Sequence, residues 1–451
     1  MSELLKELLE TLDSYQARYE LLQKYASGTQ QLAWISPESR KMLGNRLSRM
    51  AVNIPALAVS SLVERLRPIG YSNPRAWELF MEQDLDVLAS QAMTDSLTFS
   101  KGFVLVWAKN GIPVATVESP FQCAVLRDPA DRSPLAGVKR YTTKTESHSY
   151  IYTPESVQHW RADSPSPALG GYELVEELVN PLGVVPLVEF DNGRSEISDL
   201  MPLVDSLNKL VLDMMTASEA AGKPRRWISG LELKEQPRLD SEGAPVLDDD
   251  GDPIIDVVSP IDDVNVIQTM ISENEETKFG QLPASDLSGF EAGVRIIVSS
   301  IMAVSALPSH YLGVLTSQPT SSDALRASEA SLTARAEQRQ LAFSRPLEQV
   351  GRLLLAVETG AAPDMPLRVS WADAATRSVA QDADAASKLY QIGLLSRETT
   401  LRRLGFTDAE IAEEMRRHQN DMQLGEDAKV GSYLAAINRT RTFEGTDAVR
   451  N

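Results

Sequence analysis

SEISDLMPLVDSLNKLVLDMMTASEAAGKPRRW, residues 195–227, carries Leu200, Leu203, Val204, Leu207, Leu210, Val211 and Met214 at alternating spacings of three and four. That period lays one apolar stripe along an α-helix spanning 196–221. A second helix of similar length is predicted over 286–306, with Phe290, Val294, Ile297, Ile301 and Val304 on its stripe. Between the two, from about Arg225 to Gln281, lie short strand-like runs and the acidic stretch LDDDGDPIID (247–256). Two helices flanking a β-rich insert predict a hairpin-like stalk with a small head, which sets the fold class as α+β.

Towards the N-terminus, Leu4, Leu5, Leu8, Leu9, Leu12, Tyr15 and Tyr19 recur at helical spacing with Glu and Lys between them. The segment reads as an amphipathic helix that needs a partner surface. Residues 39–66 and 75–99 read as helices too, the first ending before Pro68 and Gly70. From Gly102 the pattern changes. GFVLVWAKNGIPVATVES (102–119) has two apolar runs around Lys109, Asn110 and Gly111, the composition of a hairpin whose turn adopts positive φ. Further runs at 121–126, 136–141, 149–152 and 172–178 predict an antiparallel sheet continuing to about Phe190.

Beyond the second stalk helix, HYLGVLTSQPTSS (310–322) is broken by Gly and Pro and rich in hydroxyl side chains, and so reads as a loop. A long helix follows, capped by Ser322 or Asp323. It runs from Ala324 to Ser344 and, kinked at Pro346, on to about Val357. PLRVSW (366–371) resembles a returning strand. Three short helices are predicted at 379–392, 397–403 and 407–421, the last entered at Asp408, and another at 427–437 before a polar tail. No internal repeat of fixed period is present in the sequence.

The 451 residues are 43% apolar and 24% charged, the balance of a folded protein with room for more than one packed region. Lys and Arg total 44 against 63 Asp and Glu, a net charge of -19, which argues against binding polyphosphate through a broad basic face. The single Cys, Cys123, cannot form an intrachain disulfide. MSELLKELLETLDSY lacks the layout of a secretory signal, and no run of about 18 apolar residues suits a membrane span.

Catalytic patterns are missing from the sequence. No G-x-x-x-x-G-K-[ST] stretch offers backbone amides and a Lys to a nucleotide, and no G-x-S-x-G presents a nucleophile. Four His (148, 159, 310 and 418) and one Cys do not make a zinc set, so no metal or cofactor is expected. Asp248, Asp249, Asp250 and Asp252 surround Gly251 like a calcium loop. The register puts Val246 and Val257 at the first and last ligand positions, which leaves a solvated turn. From Leu231 to Glu276 there are 14 acidic residues and two basic ones, Lys234 and Arg238, which serves solubility. Glu413 and Glu414 belong to a charged helix face.

NPLGVVPLVEFDNG (180–193), followed by the 195–227 stretch, resembles the segment leading into the stem of portal proteins from siphophages of actinobacteria. VERLRPIGY (63–71), GFVLVW (102–107), LRDPADR (126–132) and SSDALRASEASL (321–332) extend the resemblance to about residue 420. The resemblance implies a wing (1–195), stem helices (196–222 and 284–308) around a clip (223–283), and a tunnel loop (309–323). A long helix with a returning wing strand (324–378), a crown (379–424) and a C-terminal tail (425–451) complete the plan. It further implies a twelve-subunit ring at a capsid vertex through which double-stranded DNA is packaged and ejected. Terminase large subunit, major capsid protein and a head-tail adaptor are the implied partners, with no enzymatic activity and no membrane. The alternatives are a shorter ring-forming connector without paired stem helices, a packaging nuclease or ATPase, which should carry a P-loop or a metal-binding carboxylate set that this sequence lacks, or a capsid-assembly protein without a DNA channel.

On that plan Thr316, Ser317, Gln318, Thr320, Ser321 and Ser322 meet DNA with small uncharged contacts that suit any sequence. A mostly negative ring wall would let phosphates slide. Lys209, Lys223, Arg225, Arg226 and Lys278 would line the channel or pair with acids of neighbouring subunits, the second use being the commoner for isolated charges. Trp227 is a candidate clip contact or a core residue. Pro346 is a candidate kink coupling the loop to the wing, or a passive bend.

Overall fold

The computed structural model describes residues 2–31, 52–166, 171–222, 288–313, 322–375, 379–406, 410–420 and 422. Between 223 and 287 it describes 226–229, 234–239, 243–247, 251, 253–258, 269–272, 274 and 276. Two compact units result, Met1–Ala374 and Ala375–Asn451.

The first unit opens with helix α1 (Glu3–Ser27), closed by Gly28 at φ 67. Its leading half supplies the predicted stripe. Leu5, Leu8, Leu9 and Leu12 are fully buried against Ala124, Ala136, Val138, Ile151 and Trp160 of a β-sheet. Each such leucine contributes about 1.5–3 kcal/mol of burial. The second half turns Tyr19, Leu22 and Tyr25 into a larger core shared with the helices that follow. These are α2 (Ile54–Val63), α3 (Pro74–Glu82) and α4 (Leu85–Phe99), with strand β1 (Pro68–Tyr71) after α2. The helix expected over 39–66 is thus described only from Ile54; the part before 52 lies outside the described residues. The helix expected over 75–99 is two. Asp84 adopts φ 52, a left-handed break with no apolar signature, so the periodicity of the flanking helices ran across it.

Strands β2 (Lys101–Lys109) and β3 (Ile112–Glu118) form the predicted hairpin with Lys109 opposite Ile112. Asn110 and Gly111 both take positive φ, at 55° and 77°, as a two-residue turn matching strand twist requires. The β region is not one continuous sheet. Strands β4 (Cys123–Arg127), β5 (Pro134–Thr142), β6 (Ser147–Tyr152), β7 (Ser156–Ala162) and β8 (Glu173–Val179) make a five-stranded meander. Strand β9 (Leu187–Asp191) instead returns to pair with β2, giving the three-stranded order β3-β2-β9. Pairing partners at long range are a tertiary choice, which apolar runs alone do not encode. β7 was unforeseen because a bulge at His159 and Trp160 interrupts its alternation and leaves Val157, Trp160 and Ala162 without a continuous apolar run. Phe103, Leu105, Val125, Tyr152 and Leu187 fill the space between the two sheets.

After helix α5 (Met201–Gly222) come four short strands, β10 (Arg226–Ser229), β11 (Lys234–Pro237), β12 (Ile255–Val258) and β13 (Thr269–Ser272), and then helix α6 (Ser288–Ser305). β10 pairs parallel with β13, and β11 antiparallel with β12, so the insert is β-structured as expected. Helix α7 (Ser322–Thr359) runs 38 residues without a break, with Pro346 inside it. Proline has no N–H to donate to the carbonyl of Ala342. Burial of Leu332, Ala336, Phe343, Leu347, Val350 and Leu354 holds the helix in the main core on both sides of that gap. Strand β14 (Val369–Trp371) closes the unit by pairing with β1.

The second unit contains α8 (Val379–Gln391), α9 (Arg397–Arg403) and a helix over 410–420, matching the three predicted. Ser396 caps α9 through the N–H of Thr399. The predicted entry at Asp408, the helix over 427–437 and the tail lie outside the described residues. Among the described residues no helix is long and apolar enough to cross a membrane.

Candidate functional site

The paired helices α5 and α6 are built as their sequences predict. Leu200, Val204 and Leu207 bury against Val298, Ile301 and Leu307, with Ile54 and Ala58 of α2 completing the cluster. Gly293 permits close approach, since a Cβ there would stand 2.9 Å from Leu210 Cδ2. Val294 and Ile297 of α6 and Val211 of α5 also pack against the cluster, whereas Ile296, off that stripe, is 68% exposed.

Polar contacts fix α5 from the side. The Tyr25 hydroxyl donates to Asp205 Oδ2 at 2.7 Å, and burial followed by that carboxylate pushes its pKa up, so it remains a donor. The N–H of Val52 donates to Oδ1 of buried Asn208 at 3.1 Å.

At the base of the pair the chain reverses. Ala306 takes φ 58, a 3-10 turn spans Ser309–Leu312, and Gly313 follows at φ 67. Glu329, 5% exposed on α7, faces this turn. Its Oε2 accepts from Arg65 Nη2 at 3.1 Å, and its Oε1 lies 3.3 Å from His310 Nε2. Arg65 Nη2 also reaches the Tyr311 hydroxyl at 3.3 Å. Glu329 of α7 thus joins Arg65, just after α2, to the turn that follows α6.

A second junction lies one turn and a half along α7. Arg339 Nη2 sits 2.6 Å and Arg335 Nη1 3.6 Å from the buried Glu196 carboxylate, just ahead of α5. Arg335 Nη2 donates to the Val304 carbonyl in the last turn of α6 at 3.0 Å. One helix thus grips the base of both others. None of this network was read from the sequence, because each member comes from a different segment and no spacing rule connects them.

Of the residues singled out earlier, Thr316, Ser317, Gln318, Thr320 and Ser321 lie outside the described residues, as do Lys223, Arg225 and Lys278. Ser322 is the first residue of α7. Arg226 and Trp227 sit on β10, opposite Thr269 and Met270 of β13. Lys209 forms an ion pair with Asp213 one turn on along α5. Pro346 lies on the stretch of α7 that lines a cleft against β4 and β9. Among the described residues no cluster of three or more His, Cys, Asp or Glu could hold a metal ion. Burial, foremost, holds the Cys123 thiol well above its ordinary pKa.

The sequence profile of the family described as phage portal protein, SPP1 Gp6-like, matches residues 3–423. The chain belongs to that portal protein family. It is 27% identical over 401 residues to the portal protein of Mycobacterium phage L5, covering 81% of this chain and 78% of the relative. The portal protein of Mycobacterium phage D29 is 27% identical over 404 residues with the same coverage. Among solved structures, the neck of an empty gene transfer agent particle aligns with 85% of this chain and 97% of its own, at 13% identity and a TM-score of 0.42. A chain of the native gene transfer agent virion covers the same shares at 14% identity and a TM-score of 0.39. The portal family is structural rather than enzymatic.

Proposed function

We propose that this portal protein forms a closed ring, twelve-membered in the expected case, at one vertex of the virion capsid. Double-stranded DNA enters and leaves through the ring. The family match across residues 3–423 carries the reading. The paired helices α5 and α6, joined by an insert of short strands, support it, and Ile296 leaves an exposed apolar side chain for a neighbouring copy to cover.

In this reading residues 1–195 and 340–378 are the wing, α5 and α6 the stem (196–222 and 284–308), 223–283 the clip and 379–424 the crown. The clip docks the terminase large subunit during packaging and the head-tail adaptor afterwards, while the wing meets the major capsid protein. Assembly takes place in the host cytoplasm. The loop within 309–323, with Thr316, Ser317, Gln318, Thr320, Ser321 and Ser322, touches DNA without charge, and the chain's net charge of -19 keeps phosphates from sticking. Lys209, Lys223, Arg225, Arg226 and Lys278 serve as channel or intersubunit cations, Trp227 as a clip contact and Pro346 as the helix kink. The protein itself does not hydrolyse ATP.

Negative-stain images of the purified protein test the ring, which should be closed with a central channel. A monomer that hydrolysed ATP would sink the reading. Deleting 314–321 is expected to leave rings intact while DNA packaging or retention fails; loss of the rings would make that loop structural instead.

A further inference from the structure

α7 carries Arg345 and Arg352, seven residues apart and so on the same helix face, with Gln349 between them. All three line a cleft of about 410 Å3 whose opposite wall includes Arg127, Val185 and Leu187. The charges do not balance inside it. Arg127 Nε is bound to Glu189 Oε2 at 2.7 Å, and Glu189 also pairs with Lys101, so the cleft's carboxylate is already matched twice over. Arg345 has no ion pair among the described residues. Arg352 has only the side-chain oxygen of Gln349, at 3.0 Å from Nη2, and its buried Nε meets no acceptor.

Two unmatched guanidinium groups are out of place in a chain with 63 acidic residues to 44 basic ones. A buried donor without an acceptor is costly, and the planar guanidinium fork is shaped for a carboxylate. Arg345 is exposed and Arg352 half-buried, and no carboxylate of the described residues pairs with either, so their free amino groups are open to a carboxylate from outside this fold. A cleft of this volume admits a few side chains and not a duplex, and its valine and leucine wall suits the aliphatic stem of Asp or Glu beside apolar neighbours.

The geometry points to this cleft as a socket for an Asp- or Glu-bearing segment of a second copy of this chain. The inference rests on the ring proposed above, which sets copies side by side and supplies acidic segments in excess. Arg345 and Arg352 bind the incoming carboxylate, and Gln349 holds Arg352 in place.

The test uses the full chain. Cys123 is buried, so S133C, at the exposed rim of the cleft, gives a single accessible thiol for a benzophenone maleimide. Labelled and 15N-substituted chains are mixed, assembled, irradiated and digested. The expected result is a crosslink between differently labelled copies that ends on a peptide containing Asp or Glu. Crosslinks confined to one copy, or ending on segments without acids, in a sample that contains rings would overturn the socket. In parallel, R345E/R352E is expected to raise the concentration for half-assembly at least tenfold by mass photometry, with an unchanged monomer melting curve. If the melting curve moves, the crosslink decides. Rings formed equally well by wild type and R345E/R352E sink this inference alone; a wild type that stays monomeric at every concentration sinks the ring as well.

Discussion

Arg335, in the middle of the long helix α7, donates from Nη2 to the main-chain carbonyl of Val304 at 3.0 Å. With its other amino group 3.6 Å from Glu196, it joins the end of α6 to the start of α5. The carbonyl belongs to the last turn of a helix, where no intrahelical donor remains for it. A cation there satisfies the orphan acceptor and opposes the negative end of the helix dipole. R335A is expected to lower stability by about 1–2 kcal/mol, the range of a partly exposed charge-assisted hydrogen bond. Urea unfolding followed by circular dichroism measures it, and R335K should recover part of the loss.

Removing the acid of the other junction should cost more. Glu329 is nearly inaccessible and faces both Arg65 and His310. E329A leaves the buried Arg65 guanidinium without its carboxylate, for an expected loss of about 3–5 kcal/mol in the same assay. The double variant R65M/E329L, which removes both charges and keeps apolar volume, should be less destabilised than E329A. An E329A protein as stable as wild type would show that the pair contributes nothing.

Two closely packed glycines, Gly102 and Gly293, should respond differently. A Cβ at Gly102 would lie 2.0 Å from the carbonyl oxygen of Ala92, an atom fixed in helix α4. G102A is expected to cost about 3 kcal/mol by forcing strand β2 off that helix. At Gly293 the nearest atom is the tip of the Leu210 side chain, which can rotate away. G293A should change stability by no more than about 1 kcal/mol, because the helix propensity gained offsets the crowding.

Asp95, on α4, has its pKa pushed up to about 7 by burial, with no ion pair or hydrogen bond among the described residues. An acid whose pKa is higher folded than unfolded binds more protons when folded, so stability falls as pH rises from about 4 to about 7 and stays reduced above that. D95N, uncharged at every pH, should therefore raise the melting temperature at pH 8 and leave it nearly unchanged at pH 4. Thermal scans at the two pH values decide it, and an equal shift at both would refute the ionisation as cause.

The amino-acid sequence by itself determined every element whose signal is local. The leucine stripe of α1 and the stripes of α5 and α6 follow from helical period, and the turn at Asn110 and Gly111 from its need for positive φ. The family was legible in the same segments, because residues 180–227 keep both their elements and their order. The tertiary structure alone decided which strands pair, since β9 passes over the meander to reach β2. It also decided which charges meet: Glu196, Val304 and Arg335 are far apart in the chain, as are Arg65, His310 and Glu329. Burial makes those ion groups stable only as complete sets, and a complete set exists only once α7 has packed against the bases of both α5 and α6. Hydrophobic period is a property of neighbours in sequence; electrostatic satisfaction is a property of neighbours in space.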